Sequence, residues 1–302
     1  MLSALLTLFI IATITFFLMN VIPGGPFNSE RASAKTVAMM ESKYGLDKPL
    51  FEQYLMYLKR LAHLDLGDSY KRIGFSVNQI LDEKFPVSAG VGVVAILLAV
   101  LIGVPVGVIQ AYYRGGWADN VLRVVTTLGI AMPSFVVATL MLFEFAVALG
   151  WLPVQSNSLE TFSSYVMPVL TLALNPMCRI AKLTRTSMLD SISQDYIRTA
   201  RAKGLKTKVI LFKHALRNSL IPVITYLGPL TAGIITGALV VEQIYHIPGL
   251  GNYFVTSILN RDYPIIMATT VVVSILVIVM NLVVDIAYKI VDPRITLSST
   301  DE

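Results

Sequence analysis

The sequence of 302 residues contains a single cysteine, Cys178, and only three histidines, His63, His214 and His246. One thiol excludes an internal disulfide and any metal site that needs several thiolates. The histidines lie far apart and lack the i, i+4 spacing of a helical zinc site. No cluster of His, Cys or carboxylate residues is available for chemistry, so we expect no catalytic, cofactor or metal site and a protein that is not an enzyme.

Charged residues are also scarce, at 14% of the chain, whereas 55% of the residues are hydrophobic. The mean hydropathy is +0.69. A soluble domain of this length does not need so many apolar residues to fill its core. The composition therefore predicts a protein embedded in a lipid bilayer.

Six windows without charge are long enough, or nearly so, to cross roughly 30 Å of hydrocarbon. They cover residues 2–22, 85–113, 124–143 with a tail to 150, 161–178, 218–241 and 263–284. A seventh window, 243–260, contains HIPGLGN, and its two glycines and proline favour a short helix at one face of the membrane. The predicted fold class is all-α, a polytopic membrane protein with six transmembrane helices.

These windows divide the chain into a first transmembrane helix at 1–23, an amphipathic segment at 24–84 and a larger transmembrane domain at 85–295. The loop 179–217 carries ten Lys or Arg residues, whereas the loop after residue 150 carries none. By the positive-inside rule the basic loop and both termini are cytoplasmic, and the segment 24–84 is extracytoplasmic. Short amphipathic helices are predicted in that segment, one of them started by a capping box of Ser76 and Gln79.

The basic loop contains a stretch, 198–217, with seven cations and no acid. Three interpretations compete: an orientation signal, a patch for anionic lipid or nucleic acid, and a docking surface for a soluble partner. The letters DYIRTARAKG are typical of a helix that ends at Gly204. Small residues beside that glycine favour docking in the cleft of a partner, with the orientation signal as the alternative and no nucleic acid expected.

The same stretch, YIRTARAKGL followed by KHALRNSLIPV, resembles the inner-membrane permeases of ATP-binding-cassette (ABC) importers, in the oligopeptide, dipeptide and nickel branch. Other matching stretches are FPVSAGVGVVAILLAVLIGVPVGV at 85–108, AMPSFVVATLML at 131–142, IPGLGNYFVTSILNRDYP at 247–264 and DPRI at 292–295. The segment YGLDKPLFEQYLMYLKRLAHLDLGDSY at 44–70 is similar to the B-type subunit of an oligopeptide permease rather than its C-type partner. Arg198 stands where the general importer motif has Glu, and Arg217 where it has Pro; both are usual in the peptide branch.

This resemblance implies the type I ABC importer permease fold, in which residues 85–295 form the transmembrane domain and 179–217 hold the cytoplasmic coupling loop. It implies partners: a C-type second permease, two ATP-binding subunits and an extracytoplasmic substrate-binding protein, all assembled in or on the membrane. The near-balanced charge and apolar face of segment 24–84 suit packing on the outer mouth, where it either helps to seat the binding protein or only shields the mouth. The residues implied to dock on the ATPase are Tyr196, Arg198, Thr199, Ala200, Arg201, Ala202, Lys203 and Gly204.

No phosphate-binding GxxxxGK[ST] motif occurs in the chain, so ATP must be hydrolysed on another polypeptide. We therefore expect ATP and Mg²⁺ on the partner ATPase subunits and none on this chain. The expected function is translocation of oligopeptides across the cytoplasmic membrane. Dipeptides or nickel are alternative cargoes. A rival of a different class is an ion-coupled secondary transporter, which would need polar groups near mid-membrane in several spans.

Within the spans, Glu144 is expected to face protein or water, because an acid exposed to lipid at mid-membrane costs about 2.5–3.5 kcal/mol on insertion scales. We hypothesise that it lines the substrate path; a position at the membrane interface or a structural partner are the alternatives. The nearby Pro133 and Ser134 are predicted to line the same path, since a proline kink suits a pathway helix.

Two GxxxG pairs, Gly103 with Gly107 and Gly233 with Gly237, are candidates for close packing of helices. The motif is common by chance in apolar helices, so each pair is either a contact or a coincidence.

Overall fold

A computed structural model describes residues 2–22, 25–27, 34–156 and 161–291, and these ranges contain helices and no β-strand. The matching stretch at 292–295 lies outside them. The described helices are α1 (Leu2–Val21), α2 (Ala34–Tyr44), α3 (Leu50–Ala62), α4 (Val77–Tyr112), α5 (Trp117–Ala131), α6 (Ser134–Met141), α7 (Phe162–Ile192), α8 (Asp195–Ala202), α9 (Thr207–Val209), α10 (Leu216–Ser219), α11 (Ile221–Ile235), α12 (Leu239–Ile244), α13 (Leu250–Asn260) and α14 (Tyr263–Val291). Two π-helical stretches, Leu142–Ala148 and Ile210–Ala215, continue α6 and join α9 to α10.

Five helical stretches of the described chain are long and apolar enough to cross a membrane: α1, α4, α7, α11 with α12, and α14. A sixth crossing results if α5 and α6 with its π-helical extension are counted as one span, although they are bent by 101°. The bend falls at Met132, which is extended, and at Pro133, which lacks a backbone N–H for the helix. The six predicted windows thus correspond to five crossings without a sharp bend and one bent crossing.

Two helices are longer than their apolar windows. Helix α4 begins at Val77 and continues through Pro86 and Pro105, so residues 77–84 are its first turns rather than a separate helix of segment 24–84. Helix α7 continues to Ile192, so residues 179–192 of the predicted loop are helical. At 1.5 Å per residue, α4 is about 54 Å long and extends well beyond the hydrocarbon. Charge marks where an apolar window ends, not where a helix ends.

The first turn of α4 has the predicted capping box. The backbone N–H of Gln79 donates to Ser76 Oγ, and the backbone N–H of Ser76 donates to Gln79 Oε1, each at 3.2 Å. These bonds satisfy two backbone donors that an α-helix leaves free at its start.

Helices α4 and α7 pack with their backbones close together. A Cβ atom added at Gly103 would lie 2.6 Å from the carbonyl oxygen of Met177, and one added at Gly107 would lie 2.5 Å from that of Ala181. This GxxxG pair is therefore a helix contact. The second pair does not form such a contact as a unit: a Cβ atom at Gly233 would have no described neighbour within 4 Å, and Gly237, which lies beyond the end of α11, alone approaches the backbone of Gly251 in α13.

The two ends of α4 carry different attachments. Near its C-terminal end, Val108 and Ala111 pack against α8 and the Ile210–Ala215 stretch. At its N-terminal end, Val77 and Ile80 pack against α13 and α14. We call these the α8 end and the α13 end of the bundle. The short helix predicted from HIPGLGN is α13.

Segment 34–76 lies at the α13 end and packs on α1 and α14 through an aromatic cluster. Tyr54 and Tyr57 of α3 contact Phe16 of α1, and Tyr70 lies 6.5 Å, between ring centroids, from Tyr263 of α14. Burial raises the pKa of Tyr57 to about 12, so this phenol is neutral at physiological pH.

Candidate functional site

Helix α8 forms where the sequence predicted the docking helix. Asp195 lies in its first turn, where an acid is favourable, and accepts a hydrogen bond from Arg198 Nη1 at 3.3 Å. The helix ends at Gly204, whose φ is +75° and whose N–H donates to the carbonyl of Arg201 at 2.9 Å. Gly204 is therefore the left-handed residue that terminates the helix, as predicted.

Helix α8 has one buried face and one exposed face. Ile197 and Ala200 are 0% and 6% exposed, and they pack in the cluster that holds Val108 of α4 and Met188 of α7. The other predicted docking residues are exposed: Tyr196, Arg198, Thr199, Arg201, Ala202, Lys203 and Gly204. Ala200 thus packs inside the protein, because its place on the helix is next to Ile197 on the inner face.

The buried face attaches α8 to the long helices. Ile210, Leu211 and Ala215 of the following π-helical stretch complete the same cluster. Close beside it, Ser219 Oγ of α10 donates to Ser191 Oγ of α7 at 3.0 Å. Packed interiors transmit displacement rather than absorb it, so a force on α8 would move the ends of α4 and α7.

An ion pair holds the start of α5 against α7 near the same end. Arg185 of α7 makes a two-pronged contact with Asp119 of α5, with Nε–Oδ1 at 2.7 Å and Nη2–Oδ2 at 2.8 Å. The backbone N–H of Gly115 also donates to Asp119 Oδ2, at 2.9 Å. Asp119 is only 1% exposed, so its charge is satisfied inside the protein.

Pro133 and Ser134 line a cavity of about 320 Å³ at the bend of the broken span. Thr171 and Asn175 of α7 form the facing wall. Asn175 Nδ2 donates to the carbonyl of Ile130 at 3.0 Å, a bond that satisfies one carbonyl at the end of α5. The bend therefore opens a partly polar concave surface within the bundle.

Glu144 does not line that cavity. It lies ten residues beyond Ser134, in the π-helical stretch Leu142–Ala148, and its side chain is exposed in this chain alone. Pro133 and Ser134 thus line the same cavity, whereas Glu144 lies further along the broken span.

A second acid, Glu242 of α12, is buried in the bundle, and the sequence analysis did not single it out. It is 3% exposed. Its Oε1 accepts a hydrogen bond from Ser88 Oγ of α4 at 2.6 Å, and its Oε2 accepts one from the backbone N–H of Asn252 in α13 at 2.9 Å. Glu242 lies between the charge-free windows 218–241 and 243–260, so hydropathy alone does not mark it as buried. The glycines of the following PGLG could have indicated it, because close approach to a buried group requires glycine.

The fold and these features define a class: a polytopic helical subunit of a membrane transporter with a short basic helix packed on one end. Residues 103–297 match the family described as binding-protein-dependent transport system inner membrane component. Residues 1–92 match the N-terminal region described for the same transport-system membrane components. The chain belongs to this family of ABC importer permeases.

Relatives match over nearly the whole chain. The dipeptide transport system permease protein DppB of Bacillus subtilis is 49% identical over 292 residues, which cover 96% of this chain and 94% of that protein. The oligopeptide transport system permease protein OppB of Haemophilus influenzae is 44% identical over 296 residues, covering 98% and 97%. OppB of Salmonella typhimurium is 44% identical over 295 residues, covering 97% and 96%.

A solved structure shares the fold. The inward-facing MetNI methionine ABC transporter has a chain that superimposes with a TM-score of 0.58 and 17% identity, covering 70% of this chain and 96% of that chain. At this identity the likeness shows the fold alone. The all-α fold of a type I ABC importer permease, predicted from the sequence, is confirmed.

Proposed function

We propose that the protein is the permease subunit of an ATP-driven importer that carries oligopeptides across the cytoplasmic membrane. The observation that carries the proposal is identity of 44–49% over nearly the full length to permeases named for dipeptide and oligopeptide transport. The relative at 49% is a dipeptide permease, which favours dipeptides as the second candidate cargo.

The partners follow from the division of labour within such importers. This chain supplies spans and a docking helix, while two ATP-binding subunits bind ATP and Mg²⁺ and hydrolyse the nucleotide. A C-type permease completes the pathway, and an extracytoplasmic binding protein delivers the cargo at the α13 end. Both termini and the α8 end are cytoplasmic in this arrangement, in agreement with the ten cations of residues 179–217.

The exposed face of α8 is the surface that docks on an ATPase subunit. Two exposed cations of the predicted docking residues, Arg198 and Arg201, are neighbours of Ala202 on the helix. The small side chain of Ala202 lets the cleft of a partner approach the backbone closely. The buried face passes the movement of the ATPases to α4 and α7, a rigid-body route from nucleotide to pathway.

On the pathway side, Pro133 and Ser134 contribute the cavity at the bend to the route of the cargo. Glu144 contributes a carboxylate that faces the amino terminus of the peptide once the second permease is present. In the uptake assay below, unchanged uptake by Glu144→Gln of peptides with free and with acetylated amino termini would remove Glu144 from the route.

The test is ATP-dependent uptake of a labelled dipeptide and a labelled pentapeptide into vesicles. The vesicles hold this chain, the C-type permease, the two ATP-binding subunits and the binding protein. Ala202→Asp places a large acid on the exposed docking face without disturbing the buried one. Thr207→Asp is the matched control, since it is exposed, lies five residues further on and starts α9, where an acid is favourable. Gly204 is less suitable, because its φ of +75° makes a substitution strain the helix end.

We expect Ala202→Asp to lose uptake and to lose the ATPase subunits on purification, while Thr207→Asp keeps both. Full uptake by Ala202→Asp would contradict docking through α8. Uptake of neither peptide by the wild type would contradict a peptide cargo, and uptake of the dipeptide alone would replace the oligopeptide proposal with its alternative.

A further inference from the structure

The fifth crossing is interrupted in the middle of its sequence. Helix α11 ends at Ile235 and α12 begins at Leu239, with Gly237 between them at a φ of +112°. Only glycine adopts such a backbone conformation readily. Beside the interruption, a cavity of about 380 Å³ separates α11, α13 and α14, with Gly237, Phe254 and Thr270 in its walls. A glycine-dependent break in the crossing and free space therefore lie next to each other beside α13.

Glu242 and Ser88 tie α13 to α4 across this region. Ser88 Oγ donates to Glu242 Oε1 and accepts from the backbone N–H of Leu250 at 2.8 Å, while Glu242 Oε2 accepts from the N–H of Asn252. One carboxylate and one hydroxyl thus satisfy N–H groups in the first turn of α13, which would otherwise be free. We call this set of bonds the Glu242 clamp.

The glycines around Glu242 lie so close to the atoms of the clamp that a side chain at these positions would collide with them. A Cβ atom at Gly249 would lie 2.4 Å from Ser88 Oγ and 2.5 Å from Glu242 Oε2, and one at Gly237 would lie 2.8 Å from Glu242 Oε1. A Cβ atom at Gly251 would lie 3.0 Å from Glu242 Oε2. The sequence around the carboxylate is therefore shaped to enclose it.

The charge of Glu242 is balanced by hydrogen bonds alone, since it forms no ion pair with a described residue. A buried carboxylate that loses its donors is strongly unfavourable. Separation of α13 from α4 would therefore break the bonds of Glu242 at the same time, and Gly237 lies five residues from that carboxylate.

We propose that Glu242 is a positioning residue of the transport cycle: with Ser88 it holds α13 against α4 to close this end of the pathway, and its release opens that end. The proposal rests on the proposed function for the existence of a cycle. It assigns Glu242 no contact with the cargo. An ordinary structural role would hold α13 in place at every stage and would leave the coupling of import to ATP hydrolysis unchanged.

The first test measures ATP hydrolysed per peptide imported by the assembled transporter. Glu242→Gln keeps the size of the side chain but replaces one acceptor oxygen with a donor, so a bond to Ser88 persists only with its direction reversed, and the Ser88 hydroxyl hydrogen loses its carboxylate acceptor. Asp82→Asn is the matched control, because it neutralises an exposed acid near the same end of α4. We expect the ratio to rise at least fivefold in Glu242→Gln, with hydrolysis persisting, and to stay unchanged in Asp82→Asn.

Ser88→Ala removes the hydroxyl that bonds to Glu242 and to the N–H of Leu250, so it opens the same clamp from the side of α4. It serves as the test if Glu242→Gln does not fold. The double variant should show no larger ratio than the more severe single variant, because both substitutions open one clamp. A ratio equal to that of the wild type in either folded single variant would overturn the proposal.

The second test needs no cargo and follows α13 directly. Ser257 of α13 is 4% exposed, and Ser257→Cys in a Cys178→Ala background provides the only thiol of this chain for a membrane-impermeant maleimide, with labelling followed on this chain after its separation from the partners. We expect slow labelling in the resting complex, at least fivefold faster labelling during ATP turnover, and fast labelling at rest when Glu242→Gln is added. Equal rates in all three conditions would overturn the clamp even where peptide uptake succeeds. If the peptides are not taken up but the expected labelling pattern is observed, only the proposed peptide cargo is overturned.

Discussion

At the scale of single residues, two buried acids show how the bundle accommodates charge. Asp119 is held by the guanidinium of Arg185 and the N–H of Gly115, and Glu242 by one hydroxyl and backbone N–H groups. Both arrangements match the rule that buried charges are paired or hydrogen-bonded. They differ in their partners, since Asp119 faces a cation whereas Glu242 is held by neutral donors.

The Asp119 pair predicts a measurable loss of stability. Asp119→Asn cannot satisfy both prongs of Arg185, and breaking a buried pair costs about 3 kcal/mol or more. Asp190→Asn is the control, because it removes an exposed acid from the same helix that carries Arg185. Cys178 is the only thiol and is buried, so a thiol-reactive dye reports thermal unfolding in detergent. We expect a lower unfolding temperature for Asp119→Asn alone; equal values for the two variants would contradict a stabilising pair.

The sequence drew attention to Glu144 and not to the buried Glu242, for a physical reason. Hydropathy windows identify an acid by the apolar residues around it along the chain, and by that measure Glu144 stood out. Burial depends on neighbours in space, and Glu242 obtains Ser88 from 154 residues away. The residues of α8 were easier to predict, because a helix with its own start and glycine stop is encoded locally.

At the scale of helices, the contact between α4 and α7 predicts which glycines are required. Gly107→Ala would place a methyl group 2.5 Å from the carbonyl of Ala181, so the helices must separate, at a cost of about 1–3 kcal/mol. Gly233→Ala has open space and gains helix propensity of up to about 1 kcal/mol. In the same dye assay we expect the first variant to unfold at a lower temperature and the second at an equal or higher one. The reverse order would show that α4 and α7 do not pack this closely.

Most helices could be predicted from apolar windows and caps, but their lengths could not. The charge-free window ended at residue 178 because Arg179 follows, yet α7 continues to Ile192 because its last turns are stabilised by packing and by Arg185. Likewise α4 passes through Pro86 and Pro105, since neighbouring helices hold a proline-containing helix in place. Tertiary contacts decide where these helices end.

At the scale of the whole molecule, the bundle has a separate attachment at each end. Helix α8 packs near the C-terminal end of α4, about 50 Å along that helix from its start. Segment 34–76 is fixed at the other end by Asp262, which accepts hydrogen bonds from the backbone N–H of Tyr70 at 2.9 Å and from Ser69 Oγ. Changes at one end should therefore leave the attachment at the other end intact.

Asp262→Asn tests this separation. The amide replaces one acceptor with a donor, so the bond to Ser69 or to the N–H of Tyr70 is lost and the segment loosens from α14. We expect trypsin to cut at the exposed Lys71 and Arg72 several-fold faster than in the control Asp47→Asn, an exposed acid in the same segment. The ATPase subunits, bound at the α8 end, should be retained equally in both variants. Faster cleavage together with loss of the ATPases would mean that the two ends are not independent, because one substitution would then have loosened the long helices that join them.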